Sequence, residues 1–158
     1  MNKPDSLWRY ALIPVLVITA DRITKYFALA HCREGCILNQ FLSLNLAFNR
    51  GISWGTFSQA PGNVFYLVTA LVVLVTFGLA SYTIRRMRMG KSIWAELLVL
   101  AGSFSNMFDR FVHGGVVDFI LVSYGTYSWP MFNVADICIV TGVAAMVFAV
   151  YKREWNRE

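Results

Sequence analysis

"APGNVFYLVTALVVLVTFGLASYTI", residues 60–84, contains no charged side chain. About 20 apolar residues in a helix cross the hydrocarbon core of a bilayer, and this stretch is long enough to do so. The whole chain shares its character. Of 158 residues, 57% are hydrophobic and only 15% charged, with a mean hydropathy of +0.53. That balance excludes an ordinary soluble globule, and the length leaves room for one domain. No internal repeat, low-complexity tract or linker interrupts it.

Three further segments qualify as spans. Residues 8–30 are apolar as far as Ala20 and then carry Asp21, Arg22 and Lys25. Residues 92–111 carry Glu96, Asp109 and Arg110, and residues 132–151 carry only Asp136. Each must be helical in lipid, where no water satisfies a bare backbone. The expected architecture is an α-helical integral membrane protein, a single membrane-embedded domain over 1–158 with four transmembrane helices at about 8–30, 60–84, 92–111 and 132–151.

The positive charges orient it. Lys3 and Arg9 precede the first span, Arg85, Arg86, Arg88 and Lys91 lie in the segment 85–91, and Lys152, Arg153 and Arg157 follow the last span. Residues 31–59 hold only Arg33 and Arg50, and 112–131 hold none. Basic residues stay in the cytoplasm, so both termini and the 85–91 loop are expected there, with the other two loops outside. The net charge of +5 is then a matter of topology and of attraction to anionic membrane lipid, with no nucleic acid required. The first span is expected to be retained. "LAHC", residues 29–32, faintly resembles a cleavage box, but His31 occupies a small-residue position and charges break the apolar run.

In the first outer loop, "FLSLNLAFNRGISWG", residues 41–55, places Leu42, Leu44, Leu46 and Phe48 at every second position. This period predicts a strand with one apolar face, broken by Gly51 and Gly55, and hence a small sheet at the outer membrane surface. The second outer loop, "HGGVVDFILVSYGTYSWPM", residues 113–131, is rich in glycine and in aromatics suited to the interface.

Two acids stand out. Asp118 follows the third span and Asp136 opens the fourth, so both fall at the outer end of the bundle at similar depth. Singly, each has a plain explanation: Asp136 is favoured by the dipole of a helix N-terminus, and Asp118 is an ordinary loop acid. Charge at membrane depth is costly, however, which makes both of them functional candidates. Facing each other, they cannot both ionise easily and would share a proton. One member then takes a proton from water while the other hydrogen-bonds a scissile carbonyl, the chemistry of an aspartic peptidase.

Around them, Gly102, Asn106 and Arg110 recur along one face of the third span, Asn133 lies a turn before Asp136, and Asp21 and Lys25 form an i, i+4 pair. Asp109 is expected to serve structure as an internal ion-pair partner beside Arg110. "GISWG", residues 51–55, matches a serine-nucleophile pattern, but no α/β setting or His–acid pair surrounds Ser53. His31, Cys32 and Cys36 are weak grounds for a metal. A disulfide between the two cysteines is the better reading, and Cys138 is expected as a buried thiol. From these residues alone three functions compete: an intramembrane peptidase, a proton- or cation-coupled transporter using the two acids, and a membrane anchor.

One resemblance separates them. "DRITK" at 21–25, "NRG" at 49–51, "GSFSNMFDR" at 102–110, "GGVVDF" at 114–119 and "FNVAD" at 132–136 resemble, in this order, the motifs of signal peptidase II. The likeness spans nearly the whole chain. It implies a small extracytoplasmic β-cradle and a membrane-surface helix in the first outer loop. It also implies an aspartic endopeptidase of the bacterial inner membrane that cuts prolipoproteins just before a diacylglyceryl-modified Cys. The implied catalytic pair is Asp118 and Asp136, supported by Asp21, Lys25, Asn49, Gly102, Asn106, Arg110 and Asn133. No metal or organic cofactor is implied. Sensitivity to the cyclic peptide globomycin follows from the resemblance, and a monomer is the expected state. The chain departs from the family pattern at Ile52, Ser53 and Trp54 after Gly51, at Ser105 where a glycine is usual, and at Ala101 where another is usual. The segment 49–59, with its two glycines, is expected to close over a bound substrate.

Overall fold

The computed structural model describes residues 7–51 and 62–155. In chain order they form α1 (Leu7–His31), β1 (Cys36–Ile37), β2 (Leu42–Asn49), α2 (Gly62–Arg88), α3 (Trp94–His113), β3 (Val116–Tyr124), β4 (Tyr127–Ser128) and α4 (Val134–Trp155). The molecule is mostly helical with one small antiparallel sheet, its strands in the order β1-β2-β3-β4. α2 runs on past Ile84 through Arg85, Arg86 and Arg88. A helix outlasts its apolar stretch at little cost when the extra turn carries cations beside its own C-terminal carbonyls.

α3 is the central helix and packs against α1, α2 and α4. Its contact with α4 depends on Gly102. A Cβ built there would lie 2.5 Å from the Ala135 carbonyl oxygen and 2.8 Å from the Ile139 side chain. Small residues let helices meet this closely in a membrane protein. α3 stops at Gly114, whose φ of 67° is the left-handed cap that glycine adopts without strain.

The burial pattern inverts that of a water-soluble domain. Asp21 and Asp109 are 0% exposed and Lys25 is 2%, while Tyr26 is 75% and Leu74 70% exposed. Apolar side chains over the outside and charges within suit hydrocarbon surroundings. Two helical stretches, Asn63–Arg88 and Val134–Lys152, are long and apolar enough by composition to cross a membrane. In α1 and α3 the interruptions of the apolar run are the buried charges themselves.

The sheet is larger than the sequence reading anticipates. β2 lies where the alternation predicts it, but an irregularity between Leu44 and Ala47 breaks the phase. No single apolar face results: Leu42 to Ala47 are half-buried and Phe48 is exposed. β3 is a strand the loop reading lacks, so Asp118 is a strand residue and not a loop acid. The run "VVDFILVSY" is rich in β-branched and aromatic residues, which favours a pleated surface. Among described residues 32–51 there is no membrane-surface helix. Ser53, Trp54 and most of the expected closing segment 49–59 lie outside the described residues.

Candidate active site

β2 and β3 pair so that Ala47 lies opposite Asp118 and Asn49 opposite Val116. Asn49 is thus the diagonal neighbour of Asp118 on the same face, within reach of its carboxylate. The amide Nδ2 of Asn49 donates to Asp118 Oδ2 at 3.0 Å. Further along, the chain folds back to β3. Phe119 and Ile120 donate their backbone N–H groups to the Phe132 carbonyl at 3.1 and 2.9 Å, and Phe132 N–H returns a bond to Ile120 at 3.1 Å. This tie fixes Asn133 and the start of α4 beside Asp118.

Asn133 precedes α4 and caps it. Its Oδ1 accepts the Asp136 N–H at 2.9 Å, while Asp136 Oδ2 accepts the Asn133 N–H at 3.1 Å. The pair is a reciprocal capping arrangement in which two otherwise unpartnered donors of the first turn are satisfied. The helix-end explanation of Asp136 is therefore correct in part, yet it uses only one of the two oxygens. Oδ1 of Asp136 accepts from Asn106 Nδ2 at 2.8 Å. Asn133 Nδ2 reaches Asp118 Oδ1 at 2.7 Å and Asn106 Oδ1 at 3.2 Å. The two carboxylates are linked through Asn133 directly and through Asn106.

Behind them sits a second charged layer. Lys25 Nζ lies 2.8 Å from Asp21 Oδ2 and 2.7 Å from Asp109 Oδ2, and it donates to Asn106 Oδ1 at 2.8 Å. Arg22 bridges the same acids, at 3.0 Å from Asp21 and 2.6 Å from Asp109. Asp109 thus pairs with α1, not with the adjacent Arg110, because neighbouring residues on a helix point in different directions. Arg22 has no role in the sequence reading, although it stands inside "DRITK". Each acid also holds backbone next to the carboxylate pair. Asp21 Oδ1 accepts the Ala135 N–H at 2.9 Å, and Asp109 Oδ2 accepts the Val117 N–H at 3.1 Å. Ser105, a departure from the family motif, donates to Asp21 Oδ2 at 2.7 Å.

Arg110 completes the set from the other side. Its guanidinium donates to the Gly51 carbonyl at 2.5 Å and the Arg50 carbonyl at 3.4 Å, and lies over the Phe65 ring at 5.7 Å. Arg110 therefore ties residues 50–51, just after β2, to α3 and the start of α2.

A cavity of about 880 Å³ opens between α2, α3 and α4, with Asn49, Asn106, Arg110, Asp118 and Asp136 at its polar end and mostly aliphatic side chains along the rest. Burial first, and then the neighbouring Asp136, push the Asp118 carboxyl up to about 7, against bonds from Asn49 and Asn133 that favour its ionised form. The charge balance points the same way. Asp21, Asp109, Asp118 and Asp136 face Arg22, Lys25 and Arg110. A single proton held between Asp118 and Asp136 leaves this cluster neutral, the state a low-dielectric site favours.

The remaining candidates lie elsewhere. His31 stacks on Phe27 with ring centroids 4.7 Å apart and Cys36 donates to the His31 carbonyl, while the Cys32 and Cys36 thiols are neighbours; no group of three metal-ligating side chains occurs among the described residues. Cys32 and Cys36 are free thiols in the structure, and Cys138, expected as a buried thiol, is half-buried.

Three comparisons bear on this geometry. The family model for signal peptidase (SPase) II matches residues 13–152. A lipoprotein signal peptidase of Clostridium novyi is 38% identical over 138 residues, covering 83% of this chain and 89% of the relative. The lipoprotein signal peptidase of Azoarcus sp. is 34% identical over 148 residues, covering 88% and 83%. A bacterial membrane enzyme solved by the in meso method at 2.3 Å superposes with a TM-score of 0.77 at 25% identity, covering 96% of this chain and 93% of its own. A second such structure, at 1.9 Å, gives 0.72 at 26% identity, covering 91% and 93%.

Proposed function

This chain belongs to the signal peptidase II family of aspartic peptidases, and on that footing we propose that it removes the signal peptide of prolipoproteins immediately before a diacylglyceryl-modified Cys. Its membership leaves no place for the transporter and anchor readings. The observation that carries the mechanism is the linkage of Asp118 and Asp136 through Asn133 and Asn106 at the polar end of one cavity.

In this mechanism the pair holds one proton. Water attacks the scissile carbonyl carbon and gives a proton to the ionised carboxylate, while the protonated partner hydrogen-bonds the carbonyl oxygen. The tetrahedral intermediate collapses as the amide nitrogen takes a proton, the C–N bond breaks and the new carboxyl terminus departs. Asn49, Asn106 and Asn133 orient the carboxylates. Asp21 and Lys25 hold the helices behind them, Gly102 lets α4 close on α3, and Arg110 fixes the outer loop.

The four long helices serve as four spans of one membrane-embedded domain over 1–158. Both termini and the 85–91 turn lie in the cytoplasm, and the carboxylate pair lies at the outer face of the inner membrane. There the site meets a substrate whose acyl chains lie in the same leaflet. The enzyme works as a monomer and is blocked by globomycin.

The substrate class has a clear test. Purified protein in nanodiscs is expected to shift a diacylglyceryl-modified prolipoprotein on a gel and to leave the same polypeptide with a bare Cys intact. Equal cleavage of both forms would show that the lipid plays no part in recognition.

A further inference from the structure

Helical Ser and Thr hydroxyls inside a membrane protein ordinarily donate to the carbonyl four residues back. Thr24, Thr69, Ser81 and Thr83 do so at 2.7–2.9 Å. Ser105 instead donates to Asp21. Four helical hydroxyls among the described residues make no hydrogen bond. One, Thr19, lies on α1 away from the cavity. The other three are Thr76 on α2, Ser103 on α3 and Thr141 on α4, and all three line the cavity that holds the carboxylate pair.

Their depth is informative. Ser103 lies about one turn beyond Asn106 and Thr141 about one and a half turns beyond Asp136, both toward the cytoplasmic ends of their helices. Along the helix axes that is roughly 5 Å from Asn106 and roughly 8 Å from Asp136. Away from its polar end the cavity wall is mostly aliphatic, with Val72, Val75, Val99, Ile139 and Val140 lining it beside the three hydroxyl residues. A peptidase must take its substrate extended at the scissile bond. A signal peptide arriving as a helix therefore loses its internal hydrogen bonds there, and its bared N–H and C=O groups enter an apolar cavity with no water to receive them.

We propose that Thr76, Ser103 and Thr141 form a subsite that hydrogen-bonds the unwound backbone of the signal peptide one to three residues before the scissile bond. The inference rests on the peptidase reading above. The hydroxyls recognise backbone, so they tolerate varied side chains while requiring an extended segment. They do not touch the reacting atoms and act on binding alone.

The test uses full-length protein in nanodiscs with a diacylglyceryl-modified substrate. A variant carrying Thr76→Val, Ser103→Ala and Thr141→Val keeps the cavity's volume nearly unchanged. Its KM is expected to rise roughly 10- to 100-fold with kcat within about threefold of wild type, the signature of lost binding common to ground and transition states. A Thr76→Ser, Ser103→Thr, Thr141→Ser variant is expected to keep the wild-type KM. A substrate with esters in place of the two amides before the scissile bond should raise the KM of the wild-type enzyme, because an ester lacks the N–H donor. That second arm decides the matter even if the apolar variant does not fold. An unchanged KM for the apolar variant, or for the ester substrate on wild type, overturns the subsite while leaving the peptidase intact. Absence of any cleavage by wild type overturns the peptidase reading and the subsite together.

Discussion

Asp136→Asn is expected to yield a folded protein whose cleavage rate is lower by at least about a thousandfold. The amide oxygen of the new side chain can still accept the Asn133 N–H, so the capped start of α4 survives, while the new amide nitrogen faces Asn106 Nδ2 and loses that one bond. What disappears is a titratable oxygen opposite Asp118: an amide can neither take a proton from water nor return one to the leaving nitrogen. Asp118→Asn is expected to fail equally, and it meets the same conflict of donors. Asn49 and Asn133 both aim N–H donors at the Asp118 oxygens. An amide nitrogen placed against either donor breaks one of those bonds and turns the side chain. The double variant should be no worse than either single one, because residues that act as a unit are not additive. Circular dichroism and unfolding in the same detergent separate loss of chemistry from loss of fold. A single variant with near-normal turnover would remove that residue from the catalytic pair and make Asp109 or Asp21 the next suspect.

Lys25→Met is expected to cost stability on a comparable scale. The ammonium is nearly sealed from solvent and contacts two carboxylates and Asn106. Methionine fills similar volume but leaves Asp21 and Asp109 with Arg22 as their shared cation. Removing one partner of a buried ion pair typically destabilises by about 3–5 kcal/mol, most of it from the charge left behind. Combining Lys25→Met with Asp109→Asn should recover part of the loss, since the orphaned charge goes with it. Equilibrium unfolding in detergent measures both. If Lys25→Met unfolds like wild type, the Asp21–Arg22–Lys25–Asp109 layer does not hold the helices as described.

The helical framework was legible because apolar length reports it directly, as residues 60–84 do. The one-face spacing of Gly102, Asn106 and Arg110 was legible as well, and the structure turns all three toward the same region: against α4, onto Asp136 and onto residues 50–51. Pairing across distant segments was not. Asp109 stands next to Arg110 in the chain, yet its partners are on α1, and only the packing of α1 on α3 decides that. β3 was hidden by a different cause. Its glycines and aromatics read as an interfacial loop, while the β-branched run inside it needed β2 as a partner to become a strand. The irregularity in β2, which breaks the expected two-residue alternation, is a property of the pairing and leaves no mark in the alternation itself. Ser105 shows the converse case: a departure from the family motif proved to be a hydrogen-bond donor to Asp21.

The central claim is that two carboxylates sharing one proton carry out the hydrolysis, and the pH dependence of kcat/KM for a diacylglyceryl-modified substrate tests it most directly. With the Asp118 carboxyl raised to about 7, the shared proton is held below that pH and lost above it. On the acid side, protonation of the second carboxylate removes the base. The account predicts a bell whose alkaline limb falls through about pH 7, with the free enzyme's pair setting both limbs. A rate that stays flat or rises from pH 6 to 9 on a folded enzyme would contradict it.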